Sequence, residues 1–400
     1  MRTPAACLAW LICLLWAPLA AQTQALSAAE IRGIASLGPW PPPLVSDPSN
    51  RVSTNIDAVE LGQRLFFDSR LSPIGYIGCV SCHQPDRAWT DRLPRAHGLA
   101  NVNRNTQSLN NLLLQHRFGW VGASDSLWMA SVRPILDARE MDSNPAHVRH
   151  VYAREPIYGC LYQRAFGADA VKGPASDERV LVDTAKALAA YMSTLVTGRT
   201  PFDALRDAVV QGQPVASIDY PPAALRGLKV FVGRGRCIAC HAGANLSDGA
   251  FHQTGVPGFV AQRVPDNGLA DGQQQLRASR FNLGGPHNDG AKPRPRAQPE
   301  PSSQRGAFRT PSLRNVAVTA PYMHNGSLDS LRDVVLHYAS TPPRVVPKAE
   351  HALPQAMHVQ ASDADDLLAF LQTLTDTRGE NRGLPLARVT ACDMAGETTR

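Results

Sequence analysis

Apolar residues recur at helical spacing in several separate stretches, and strand-like alternation is rare and short. In "DAVELGQRLFFD", Val59, Leu61, Leu65 and Phe66 gather on one side, and the pattern stops before "SRLSP". "ERVLVDTAKALAAYMSTLV", residues 178–196, is rich in Ala and Leu, free of Gly and Pro, and ended by "TGRTP". "PPAALRGLKVFVG" predicts a helix with prolines in its first turn. "SDADDLLAFLQTL" predicts another, with Ser362 as its cap, acidic residues in its first turn and Leu367, Leu368, Phe370, Leu371 and Leu374 on its apolar side. The expected fold is mostly α.

Between these segments the composition changes. Residues 26–55 are Pro-rich and read as an extended lead-in. Residues 284–306 are crowded with Pro, Gly and charge and read as a mobile surface loop. "QGQPVASIDYPP" breaks the pattern near 200–220, which divides the chain into domains at 56–210 and 211–400. A length of 400 residues suits two domains. At the start, Arg2 followed by "PAACLAWLICLLWAPLAA" has the form of a secretory signal peptide, placed at residues 1–25, with cleavage between Ala20 and Ala25. Cys7 and Cys13 leave with it, and Ile12 stands where a lipoprotein signal has a small residue. No later segment has the length of a membrane helix, so the expected product is exported to the periplasm and soluble. The formal charge of +6 is scattered without a dense basic run, which speaks against nucleic acid as a partner.

The chemistry sits in the cysteines. "GCVSCHQPDRAWTD" and "GRCIACHAGANLSDG" each hold a C-x-x-C-H, and each follows a predicted amphipathic helix, a duplication of organisation rather than of letters. Two thiols at this spacing add to the vinyl groups of one haem, and the adjacent histidine lies under the iron. Cys79, Cys82 and His83 are thus assigned to one haem, and Cys237, Cys240 and His241 to a second. Zinc ligation and a redox dithiol are the competing readings; the added histidine in both motifs and the lack of a βαβ pattern count against them. Cys160 and Cys392 remain, either as two unrelated thiols or as a disulfide tying the C-terminal tail to the first half.

Longer stretches around these motifs resemble the bacterial di-haem cytochrome c peroxidase and MauG family. They are "ELGQRLFFDSRLS", "RNTQSLNN", the run from Gly119 to Met141 containing "RPILDAREM", "FHQTG", "FRTPSLRNVAVTAPYMHNGSLDSLRDVVLHY" and "DLLAFLQTLT". The resemblance implies two cytochrome c-like haem domains packed against each other. It further implies an oxidoreductase in which one haem meets hydrogen peroxide while the other exchanges electrons.

By the same resemblance, Glu140 is the distal acid of the first haem, Pro134 a distal-pocket residue and Trp120 a relay between haems. Ala130 stands where the family has a glutamine. Asn105, with the carbonyls of Thr319 and Pro321, matches a calcium site. Tyr338, 17 residues after Pro321, matches the tyrosine ligand of MauG-type proteins, where peroxidases have methionine. Met323, His337 and Met357 are the alternative ligands. His97, eight residues before Asn105, matches the histidine that caps the first iron in reductively activated peroxidases. The implied partners are peroxide and either a small electron donor, a cytochrome or cupredoxin, or a substrate protein. A plain di-haem electron carrier is the non-enzymatic alternative.

Overall fold

The computed structural model describes residues 25–43, 45–173, 175–256, 266–291, 305–340 and 358–376, together with Cys392. The expected signal peptide and Met357 lie outside them. The helices are α1 (Ala28–Ala35), α2 (Ile56–Phe66), α3 (Cys79–Cys82), α4 (Leu127–Leu136), α5 (Pro145–Arg154), α6 (Pro156–Phe166), α7 (Asp177–Met192), α8 (Pro201–Val210), α9 (Pro222–Val232), α10 (Leu269–Ala278), α11 (Leu331–Ser340) and α12 (Ala364–Gln372). The strands described are β1 (Phe251–His252) and β2 (Phe308–Arg309), paired antiparallel. No helix among the described residues is long and apolar enough to cross a membrane.

Two apolar cores organise the chain. The first gathers α2, α4, α5, α6 and α7 around Phe66, Trp89, Trp128 and Tyr162. The second gathers α8, α9 and α12 around Phe202, Phe231 and Phe370. In each, the helix before a C-x-x-C-H crosses the last helix of its half at a glycine. A Cβ built on Gly62 of α2 would lie 2.0 Å from the Ala187 carbonyl oxygen of α7, and one on Gly227 of α9 would lie 1.9 Å from that of Asp366 in α12. Backbone cannot yield as a side chain can, so Gly227→Ala is expected to cost roughly 1–3 kcal/mol or more through overpacking. Chemical denaturation would measure it, and an unchanged stability would mean that the crossing is looser than described.

Several expectations change. The lead-in is not simply extended: Ser27 and Glu30 form a reciprocal capping box that starts α1, and Ile34 and Leu37 enter the second core. Helix α8, from the end of the stretch assigned to the first domain, packs in that core as well. Ser362 does not cap α12. A single 3-10 turn, Ala361–Asp363, precedes it, and Asp363 accepts from the backbone N–H of Gln360 at 2.8 Å.

Residues 284–291 of the expected mobile loop are tied to the first half. The chain leaves α10, seats Phe281 and Leu283 on the first core, and brings Asp289 to Lys186 of α7 at 2.7 Å. Lys186, fully buried, also donates to the His287 carbonyl at 2.8 Å, so a charge in the expected surface loop serves as counter-ion to a buried cation. Residues 292–304 lie outside the described residues. Cys160 and Cys392 form a disulfide, as one of the two readings had it.

The duplication extends to letters. Thr106, Ser108, Leu109 and Asn111 recur 204 residues later as Thr310, Ser312, Leu313 and Asn315, and Gly122, Asp125, Ser126 and Leu127 recur as Gly326, Asp329, Ser330 and Leu331. Asn111 and Asn315 both adopt left-handed backbone, with φ of 62° and 59°. Each then holds the end of its half's last helix. The Asn111 N–H donates to Leu195 and its Oδ1 accepts from the Thr197 N–H, while Asn315 repeats this with Leu374 and Asp376. The halves meet symmetrically: the Asn105 N–H donates to the His324 carbonyl at 3.0 Å, and the Arg309 N–H to the Trp120 carbonyl at 2.9 Å. Since 105 corresponds to 309 and 120 to 324, this is one contact made twice, as across a two-fold axis.

Candidate active site

Each C-x-x-C-H histidine is aimed by its own backbone. The His83 Nδ1 lies 3.1 Å from the Trp89 carbonyl, and the His241 Nδ1 lies 3.0 Å from that of Leu246. A carbonyl oxygen only accepts, so Nδ1 carries the proton and Nε2 is left as the ligand atom. The carbonyls reach inward because Trp89 and Leu246 take left-handed φ values of 63° and 51°, strained for bulky residues and held by full burial of both. Burial, the largest influence, lowers the pKa of both rings and favours the neutral form that metal binding requires.

The donor set fits haem better than zinc. Cys79, Cys82, Cys237 and Cys240 are unbridged, and burial pushes the first three thiols up to about 12, away from the thiolate that zinc needs. The only metal-like cluster among the described residues, Cys240, Asp248 and His252, takes one cysteine of a motif and leaves out its partner. Around the second motif lies a cavity of about 1710 Å³ including its open mouth, lined by Cys237, Cys240 and His241.

Beside the first motif stands Glu140. Pro134 lies within α4, and after Leu136 the chain doubles back, with the Met141 N–H donating to the Pro134 carbonyl at 3.2 Å. This turn presents Glu140, whose charge is felt by both Cys79 and Cys82. Burial, then repulsion from Asp137, raises its pKa, and Arg133 and Arg139 oppose the rise. Those cations are engaged elsewhere, Arg139 with Asp137 at 2.7 Å and Arg133 with Gln275 at 2.9 Å, and Glu140 makes no ion pair among the described residues. Ala130 packs partly buried on the first core.

The His97 loop is laid against that turn. A Cβ on Gly98 would lie 2.7 Å from the Glu140 Cα, and the Leu99 and Ala100 N–H groups donate to the Glu140 and Arg139 carbonyls. His97 itself is exposed, with Nδ1 at 2.8 Å from the Asn101 Oδ1. Its ring is held to the loop's own surface.

Trp120, Asn105, Thr319, Pro321, Met323 and Tyr338 all line the second cavity. The Trp120 Nε1 donates to the Asn105 carbonyl at 2.9 Å, while the Asn105 amide nitrogen donates to Leu93, which leaves its Oδ1 for another partner. That oxygen lines the same cavity as Thr319 and Pro321, and oxygen donors of this kind suit a cation such as calcium. Burial and the nearby Cys240 and Cys237 thiols raise the pKa of Tyr338. His337 is spent on the Thr254 carbonyl at 2.8 Å, so Tyr338 and Met323 are the ligand candidates left facing the cavity.

Comparison with known proteins decides among the readings. Residues 57–210 match the family described as di-haem cytochrome c peroxidase. The chain is 33% identical to the methylamine utilization protein MauG of Methylorubrum extorquens, over 80% of this chain and 78% of that protein. The chain belongs to the di-haem cytochrome c peroxidase and MauG family. It is 32% identical to the cytochrome-c peroxidase IdrP1 of Denitromonas iodatirespirans, over 89% of this chain and 90% of the relative. Among solved structures it resembles a MauG-like protein associated with microbial copper homeostasis, at 25% identity and TM-score 0.63, covering 88% of this chain and 99% of that one. The diheme peroxidase BthA from Burkholderia thailandensis E264 matches at 26% identity and TM-score 0.63, covering 88% and 90%.

Family membership makes the chain an oxidoreductase acting on peroxide, built from two cytochrome c-like domains with two haems of the c type. Sequence reading named both C-x-x-C-H motifs, and the resemblance named Glu140 as the expected distal acid. It missed the 204-residue repeat, and with it Arg309 and His324. Comparing "TQSLNN" with "TPSLRN" was the available signal.

Proposed function

We propose that this family member reduces hydrogen peroxide at the haem held by His83 and receives its electrons through the haem held by His241. The observation that carries the reading is Glu140: half-buried, without an ion pair among the described residues, and felt electrostatically by both thiols of the first motif. When bound, the haem iron supplies the position that takes peroxide and the redox change. His83 holds it from below, with Nδ1 anchored on Trp89. Glu140 takes a proton from the near peroxide oxygen and returns it to the departing one, so that peroxide, two protons and two electrons leave as two waters. Pro134 lines the distal side of that haem. Trp120 stands between the halves as relay, and Asn105, Thr319 and Pro321 hold a calcium ion across the same interface. Tyr338 would help hold the iron of the second haem through its phenol oxygen. The protein works in the periplasm after removal of its leader, with a small cytochrome or cupredoxin as donor.

The fully oxidised protein is expected to react with stoichiometric peroxide at once, because His97 is exposed and its ring lies along the loop's own surface beside Asn101. Rapid-mixing absorption before and after adding one electron per molecule tests this. Reaction only after reduction would make His97 a cap, and silence in both states would leave an electron carrier. Tyr338 in the second cavity favours a second reading, oxidation of a partner protein's side chains, in which case the oxidised protein holds its stored equivalents until that partner arrives.

A further inference from the structure

The second cavity is lined by two buried bases that nothing among the described residues neutralises. Arg309 is 4% exposed, and its guanidinium donates only to carbonyls, from Nε to Gly119 at 3.4 Å and from Nη1 to Thr310 at 3.3 Å. Both bonds are long for a charged donor, and no carboxylate is among its partners in the described residues. His324 is 3% exposed, stacked on Phe308 with ring centroids 3.6 Å apart, and its Nε2 is buried without a partner. The acid that acts on His324, Asp266, is already taken by Arg104 at 2.7 and 2.9 Å. Desolvation accordingly drives Arg309 down to about 10 and His324 down to about 4.

A buried guanidinium without a counter-charge is strongly disfavoured, and the buried His324 Nε2 lacks a hydrogen-bond partner, so the two together point to an anion that belongs in the cavity. We propose that Arg309 and His324 bind the two carboxylates of the haem attached at Cys237 and Cys240. The inference rests on the family reading that this cavity holds a haem. A haem joined through its vinyl carbons carries its carboxylates on the edge away from the cysteines, and both bases line the same cavity as those cysteines. A guanidinium matches a carboxylate two bonds at a time, and the Phe308 stack fixes the plane of the imidazole.

The repeat shows that this device belongs to one half only. Arg309 stands where the first half has Asn105, and His324 where it has Trp120. A cation paired with a haem carboxylate removes negative charge from beside the iron and favours the ferrous state. The second haem is therefore the one made easier to reduce, which suits the haem through which electrons enter.

Spectroelectrochemical titration that resolves the two haems tests the clamp. Arg309→Met is expected to shift the ferrous-to-ferric ratio of the second haem at least tenfold toward ferric at a given potential, or 59 mV for one electron, and to leave the first haem unmoved. Arg309→Lys is expected to restore most of the shift. His324→Phe, which keeps the stack and removes the nitrogen, is expected to move the same haem in the same direction, and decides the matter if Arg309→Met does not assemble. With two haems counted per chain, an unmoved second potential, or equal shifts of both haems, would overturn the clamp alone. A wild-type chain lacking the second haem would overturn the reading beneath it as well.

Discussion

Replacing Glu140 with glutamine is expected to slow the reaction with hydrogen peroxide by roughly 10²–10⁴-fold, the usual contribution of a placed proton-transfer group. The amide keeps the size of the side chain, and Glu140 makes no ion pair among the described residues whose loss would unfold the turn. Both haems should therefore remain, with unchanged absorption at rest. The pH profile separates this role from a structural one. Glu140 must be ionised to take the first proton, and burial raises its pKa above the ordinary carboxylate value. The rate should fall as pH drops through that raised value, and the glutamine variant should lose this acid limb. Stopped-flow rates across pH would show both effects; a variant as fast as the parent would remove Glu140 from the mechanism.

The largest stability effect is expected at Asp203. Its carboxylate holds Arg314 by two parallel bonds of 3.0 and 2.9 Å, with both side chains almost wholly buried. The same carboxylate accepts from the Thr200 N–H at 2.8 Å and so caps α8. Arg314 in turn donates to the Ala244 carbonyl at 2.8 Å, just past the second C-x-x-C-H, and its guanidinium lies 3.5 Å over the Trp40 ring. Asp203→Ala leaves a buried guanidinium without its counter-charge, which is expected to cost about 3–5 kcal/mol. Denaturant unfolding would measure it, and a loss below about 1 kcal/mol would mean that water reaches the arginine and screens it. The first half has Asn110 at the position of Arg314, and so lacks this pair.

What could be read from the chain depended on how local each cause is. Haem attachment needs its three residues adjacent, so both motifs stood complete in the letters. Helices α2, α7, α9 and α12 were legible from apolar spacing, and the residues of Ser27 and Glu30 were there to announce α1, but the prolines after Leu37 drew the reading toward an extended arm. Nothing in the letters marks Lys186, on its Ala-rich helix, as buried. Its burial depends on Asp289, more than a hundred residues away in a stretch whose composition suggests solvent. Glu140, Trp120 and Tyr338 were singled out only through family likeness, since no local pattern distinguishes the proposed distal acid from any other glutamate after a proline-bearing helix. Arg309 and His324 escaped because what sets them apart is the partner they lack.

The paired bonds between the halves, Asn105 to His324 and Arg309 to Trp120, have a further consequence. A self-complementary contact of this kind is the form a homodimer's interface takes, made here inside one polypeptide. In a homodimer every substitution appears twice, and neither haem site can change without the other. A single chain carries no such constraint. One repeat position holds Pro134 in the first half and Tyr338 in the second, a residue without a donor opposite a phenol. Division of labour between two equivalent cofactors is open to the single chain and closed to the dimer.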